Sequence, residues 1–170
     1  MMNLDRGDSA EWRLRMDLLR VARNLIGVPY VYGGQDKDYG LDCSGFIVHC
    51  LRAVGLLRPT QDMTAQQLAD ACTEVSREAL QPADLVFYGR DWGSVEHVVM
   101  AIGLDYAMGA TRGDRSCTTP DIARRKKAAI ATLDLDARKK DRLGYGRIVN
   151  PEGIPDWTPR PLDMEPREIA

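Results

Sequence analysis

Cysteine and histidine are the residues of this chain best suited to covalent chemistry near neutral pH, and their surroundings narrow the choice quickly. Of the four cysteines (43, 50, 72 and 117), Cys43 stands in Gly40-Leu41-Asp42-Cys43-Ser44-Gly45, followed at once by an apolar run of helical period. That setting puts a thiol in the first turn of a helix, where backbone N–H groups lack partners and the macrodipole is positive. The expected result is easier loss of the thiol proton, and the thiolate is the reactive form. A cysteine nucleophile also needs a base within reach, a third group to orient that base, and donors for the developing oxyanion. Only His49 and His97 can serve as histidine bases. His49 lies on the same helix, about 240° round from Cys43 at ~100° per residue. His97 opens a separate apolar strand and is the better partner by elimination and by placement.

The other cysteines read differently. No pair has C-x₂₋₄-C spacing and the two histidines are far apart, so neither a zinc site nor any other metal or cofactor is expected. Cys50 and Cys72 fall in helical patterns as small core hydrophobes, and Cys117 sits in a polar segment without an assigned role. The start of the chain carries acidic residues and no apolar h-region, so the expectation is cytoplasmic synthesis without a signal peptide and without disulfides.

A net charge of −2 and a pI near 5.7 argue against a dedicated nucleic-acid surface. No apolar run approaches the ~20 residues that span a bilayer. The cluster Arg124-Arg125-Lys126-Lys127 reads as a solvated face.

These residues must be held by a scaffold. With Asp8 or Ser9 as cap, Leu14, Leu18, Val21, Ala22 and Leu25 mark an amphipathic helix that ends near Gly27. Pro29 to Gly40 reads as a glycine-rich loop with a charged tip. The Cys43 helix follows, burying Phe46, Ile47, Cys50 and Val54 and closing at Gly55. Thr64-Ala65-Gln66-Gln67 has the form of a capping box and opens a third helix. The period then changes: Leu85 to Tyr88, Val98 to Ile102 and Tyr106 to Ala110 read as strands, with a turn at Gly103-Leu104-Asp105. Thr119-Pro120-Asp121 starts a short basic helix, and two edge strands are expected at 128–133 and 146–149. Helices first and a meander afterwards predict an α+β domain over residues 1–150. A proline-rich tail follows over 151–170, expected as a linker, an extended arm on a partner, or a segment disordered on its own.

Four stretches, taken together and in order, resemble the NlpC/P60 family. They are Gly27-Val28-Pro29-Tyr30-Val31-Tyr32-Gly33-Gly34, Asp42-Cys43-Ser44-Gly45-Phe46, Leu80-Gln81-Pro82-Ala83-Asp84-Leu85-Val86-Phe87 and His97-Val98-Val99-Met100-Ala101-Ile102-Gly103. The resemblance implies a papain-like fold, with N-terminal helices packed on a small antiparallel sheet, and a cysteine peptidase acting on bacterial cell-wall peptides. It implies Cys43 as nucleophile, His97 as general base, and Tyr30 beside the site in support of the oxyanion. Asp42 and Ser44 flank the nucleophile, with Asp42 also able to cap the helix. The third, orienting position of the family falls on Gly109, which has no side chain, leaving nearby Thr111, a backbone carbonyl or a water to hold the imidazole.

The expected function is therefore hydrolysis of amide bonds in peptidoglycan stem peptides. The segment 109–121 and the closing strand also resemble phage-tail-associated members, which implies a virion protein that reaches the wall by assembly, its tail docking on other assembly proteins. The alternatives are a structural tail-tip subunit with a decayed site, or an amidase effector or acyltransferase on the same fold.

Overall fold

A computed structural model describes residues 10–148. The caps proposed at Asp8 and Ser9 and the tail from residue 151 lie outside the described residues. Three helices are followed by a meander, as the change of period requires. Helix α1 spans Ala10–Asn24, α2 Cys43–Ala53 and α3 Ala65–Ala71; a small hairpin, β1 (Gln35–Asp36) and β2 (Gly40–Leu41), precedes α2. Then come β3 (Thr73–Val75), β4 (Leu85–Gly89), β5 (Val95–Ala101), β6 (Tyr106–Thr111), helix α4 (Pro120–Lys126), β7 (Ala129–Asp134) and β8 (Arg142–Arg147). The large sheet is antiparallel, in the order β3-β8-β4-β5-β6-β7. No described helix is long and apolar enough to cross a membrane.

Helices α1 to α3 cover one face of the sheet. Leu18 and Ala22 of α1, Phe46, Ile47, Cys50 and Leu51 of α2, and Leu68 of α3 bury against Leu85, Phe87, Val98, Met100, Met108 and Ala110. The alternate residues of the same strands, Val86, Tyr88, Val99, Ala101 and Ala107, form a smaller cluster on the opposite face with Leu80, Leu135 and Tyr145. The period of two thus assigns successive strand residues to two different cores.

Local chemistry fixes the element ends. Asp42 caps α2 by accepting from Gly45 N–H at 2.7 Å, and Gly55 at φ +79° follows its last turn. Thr64 and Gln67 form the reciprocal capping box of α3, while Thr119 caps α4 with Pro120 at its first position. The Pro29–Gly40 stretch, read as a loop, contains the β1–β2 hairpin with its turn closed by Tyr39 N–H to the Asp36 carbonyl at 3.1 Å.

Other expectations are corrected. The last strand runs 142–147, not from 146, and lies between β3 and β4 rather than at an edge. Arg142, Gly144 and Gly146 dilute its apolar signal, so only pairing on both sides identifies it as an interior strand. Strand β3 had no signal in so short and polar a segment. Residue 117 is fully buried in the main core despite its polar neighbours. Cys72 caps the end of α3 and is only partly buried.

The β7 edge is also covered. Residues 27–30 run along it: Gly27 N–H donates to the Ile130 carbonyl, Ile130 N–H to Val28 O, and Tyr30 N–H to Ala128 O, at 2.9–3.0 Å. The segment that leaves α1 therefore clasps the far strand before turning into α2.

Candidate active site

The approach to Cys43 is shaped by close backbone contacts. A Cβ on Gly45 would collide with the Gly34 carbonyl, one on Gly34 with the Gly40 carbonyl, and one on Gly40 with the Val31 side chain. Glycine at these positions lets the hairpin lie directly on the first turn of α2. The Asp42 carboxylate fastens this join. Besides Gly45 N–H, it accepts from Gly33 N–H at 3.0 Å and from Ser44 Oγ at 3.1 Å. Asp42 and Ser44 therefore position the start of the helix, and the Ser44 hydroxyl is turned toward that carboxylate.

The sulfur of Cys43 lies against β5 on both sides of His97. Its thiol donates toward the Glu96 carbonyl at 3.9 Å, and the Val98 N–H points at the sulfur. A break in the sheet makes room for it. The β5–β6 ladder pairs Met100 with Met108 and Ala101 with Ala107, then stops. The next groups on that edge of β5, Val98 N–H and Glu96 C=O, meet the Cys43 sulfur instead of β6.

Burial and the Asp42 carboxylate push the Cys43 thiol up to about 11, against the pull of the Val98, Ser44 and Cys43 N–H groups. This corrects the expectation drawn from the helix terminus: at 9% exposure, desolvation outweighs the dipole. His97 moves the other way. Burial of most of its ring, with the Arg138 guanidinium nearby, lowers it to about 4. These shifts favour the neutral thiol and the neutral imidazole near pH 7.

Tyr30 lies beside the thiol. Its hydroxyl is held well above the ordinary tyrosine value by burial first, then by Cys43 and Asp42. The backbone at Gly113 covers its ring so closely that a Cβ there would strike it. Cys117, which had no sequence role, is packed within electrostatic reach of Tyr30, and its carbonyl accepts from Tyr32 N–H at 2.7 Å. His49 sits away from this cluster, among Lys37, Arg52, Asp36 and Asp38.

The third position is filled by a neighbour. A Cβ built on Gly109 would lie 2.6 Å from Val99 Cγ1, so the valine occupies the space a side chain at 109 would use. Thr111 donates its hydroxyl proton to the Ala129 carbonyl at 3.0 Å. Among the described residues, none is hydrogen-bonded to the His97 ring. The ring instead meets Tyr88, its direct partner on β4, at 5.7 Å between centroids and a tilt of 48°. Tyr88 was read only as part of a strand; the register of β4 against β5, which no local pattern encodes, brings it to the histidine.

The NlpC/P60 family model matches residues 27–132, which include Tyr30, Cys43 and His97. A gamma-D-glutamyl-L-lysine dipeptidyl-peptidase of Bacillus cereus is 33% identical over 102 residues, 59% of this chain and 29% of that protein. The chain thus spans less than a third of that relative's length. A Staphylococcus aureus protein of the NLP/P60 family, similar to a lipoprotein, superposes with a TM-score of 0.61 at 26% identity, covering 80% of this chain and 41% of the other. The P60 domain of a Mycobacterium avium subspecies paratuberculosis antigen gives 0.65 at 21% identity, covering 83% and 98%. With the motifs in order, the same fold and a family match over most of its described residues, this chain belongs to the NlpC/P60 family.

Proposed function

We propose that the domain hydrolyses amide bonds in peptidoglycan stem peptides through Cys43 and His97. The observation that carries this reading is the seat of the Cys43 sulfur, at a helix N-terminus and against the β5 backbone on either side of His97. With both groups neutral at rest, His97 takes the thiol proton as sulfur attacks the scissile carbonyl, and a preformed ion pair is not required. The donors assigned to the developing oxyanion are the first N–H groups of α2 and the hydroxyl of Tyr30, which lies beside the thiol. His97 then protonates the leaving amine. Water, deprotonated by His97, resolves the thioester and regenerates the thiol.

The peptidoglycan substrate is supported by family membership and by the names of the relatives, which include a murein DD-endopeptidase of Escherichia coli and a bifunctional muramidase/DL-endopeptidase of Bacillus subtilis. The proposed setting is a phage or phage-like tail, made in the cytoplasm and delivered to the wall by assembly, with residues 151–170 as the docking arm. Gly109 favours one second reading, a domain that binds wall peptides without cutting them.

Mass spectrometry of purified sacculi after incubation separates the two. Wild type is expected to release fragments with new amino termini, and Cys43→Ala is expected to release none. Identical fragment patterns from the two proteins would overturn the hydrolytic reading.

A further inference from the structure

We infer that a cavity beside Trp92, on the helix-covered face of the sheet, is a subsite for a primary ammonium group of the peptide substrate, such as the end of a lysine-type side chain. The inference deepens the wall-peptide reading above and rests on it for the identity of the substrate. The cavity measures about 180 Å³. One of about 150 Å³ accepts a benzene ring, so there is room for the end of a single side chain. Ala69 and Cys72 at the end of α3, Glu74 of β3, Phe87 of β4 and Trp92 of the β4–β5 turn line it, over a floor of β8. Two glycines, on one face of β8 because they are two apart, keep it open. A Cβ on Gly146 would lie 2.6 Å from Cys72 Cβ and 2.9 Å from Phe87 Cε2, and one on Gly144 would lie 2.7 Å from Trp92 Cζ2.

The lining selects a cation. Among the described residues the Glu74 carboxylate has no ion pair and no side-chain hydrogen bond, while the arginines of β8, Arg142 and Arg147, are committed to Asp136 and Asp84. Glu74 Oε1 and the six-membered ring of Trp92 both lie within 3.8 Å of the point that a Gly144 Cβ would occupy, so carboxylate and indole flank the same space. The indole is 40% exposed although its ring rests against Phe87 at 6.0 Å. An ammonium held there gains a cation–π contact and a charge-assisted hydrogen bond together. A sugar presents hydroxyls around its whole rim, and Ala69 and Phe87 would leave some of them unpaired. The strand register ties the cavity to the thiol. Gly144 is paired with Phe87, and Phe87 with Val98, whose N–H points at the Cys43 sulfur. At about 4.8 Å per strand the floor is about 10 Å from Val98, a distance that an extended tripeptide spans at about 3.3 Å per residue. Gln66 fixes the intervening turn. Its Nε2 donates to the Trp92 carbonyl at 2.8 Å and its Oε1 accepts from Val95 N–H at 2.9 Å, one residue before the Glu96 carbonyl that faces the thiol.

The test uses the full chain in two arms. In the first, n-butylammonium chloride is titrated into nitrogen-15-labelled protein and the Trp92 indole N–H signal, assigned with Trp92→Phe, is followed by NMR. A saturable shift is expected with butylammonium and none with n-butanol or N-acetylglucosamine; Glu74→Gln, a change at an exposed side chain, is expected to weaken binding about fivefold. Equal shifts from the alcohol or the sugar, or full binding by Glu74→Gln, overturn the proposal. In the second arm, soluble wall peptides that wild type cleaves are compared with the same peptides acetylated at the free amine. Glu74→Gln is expected to raise KM about fivefold for the free amine, with kcat unchanged, and to leave KM for the acetylated peptide at the wild-type value. The same KM for both proteins on the free amine overturns the subsite, even where butylammonium binds. Cys43→Ala runs in both arms. If it is inactive while Glu74→Gln keeps the wild-type KM, only this inference fails; if Cys43→Ala remains active, the hydrolytic reading fails and the NMR arm still decides whether the cavity takes a cation.

Discussion

At the scale of single residues, the site depends on which of two facing positions carries bulk. Val99 and Gly109 are opposite one another on β5 and β6, and the valine fills the shared space. Placing a histidine at 109 alone forces its Cβ against Val99 Cγ1, an overpacking that typically costs about 1–3 kcal/mol. Gly109→His is therefore expected to lower the melting temperature without raising kcat. Adding Val99→Gly should recover part of the loss and raise kcat above that of the single variant; thermal melts and muropeptide kinetics read both. An additive pair of effects would show that the two positions do not share space. The place of Cys43 at a helix start was legible because a capping residue preceded by glycines is a local pattern. The upward shift of its thiol was not, since desolvation depends on how the hairpin and β5 close over the sulfur. The contact of Tyr88 with His97 was hidden for a related reason, as it comes from a strand register rather than from neighbours in sequence.

At the scale of elements, caps and periodicity carried the helices. Thr64 with Gln67, Thr119 with Pro120, and Asp42 each mark a helix start by a side chain that reaches its own backbone. The strand at 85–88 was likewise legible from its β-branched and aromatic run, and the one at 106–110 from the turn at Gly103-Leu104-Asp105 that precedes it. What escaped was held by partners distant in sequence. Arg15, on an otherwise apolar stripe of α1, is buried and donates to Asp84 at 2.9 Å and to the Pro82 carbonyl at 2.8 Å. Asp84 also accepts from Arg147 Nε at 2.9 Å and from Gln81 N–H at 2.8 Å, tying α1, the start of β4 and β8 at one fully buried carboxylate. Removing one member of a buried pair commonly costs 3–5 kcal/mol, because the other charge remains. Asp84→Asn is expected to lower the melting temperature by roughly 6–20 °C, read by calorimetry. A shift under two degrees would mean that water reaches the arginines.

At the scale of the whole molecule, acid acts through His97. An imidazole held near 4 in the fold and at 6.5 in the unfolded chain binds its proton more readily when unfolded. Its share of stability is intact above pH 6.5 and is lost as pH falls toward 4, by roughly 3 kcal/mol across the window. Urea melts at pH 7 and pH 4.5 should show wild type losing more stability than His97→Gln; equal losses would mean that the ring is solvated. The clasp of residues 27–30 on β7 bears on assembly. A second chain cannot lengthen the sheet at that edge without peeling away the segment that leads into the thiol helix. The free ladder among the described residues is β3, short and three strands away from β5. Recruitment into a larger body by strand addition would therefore occur at the opposite end of the sheet, leaving the sulfur open to incoming peptide.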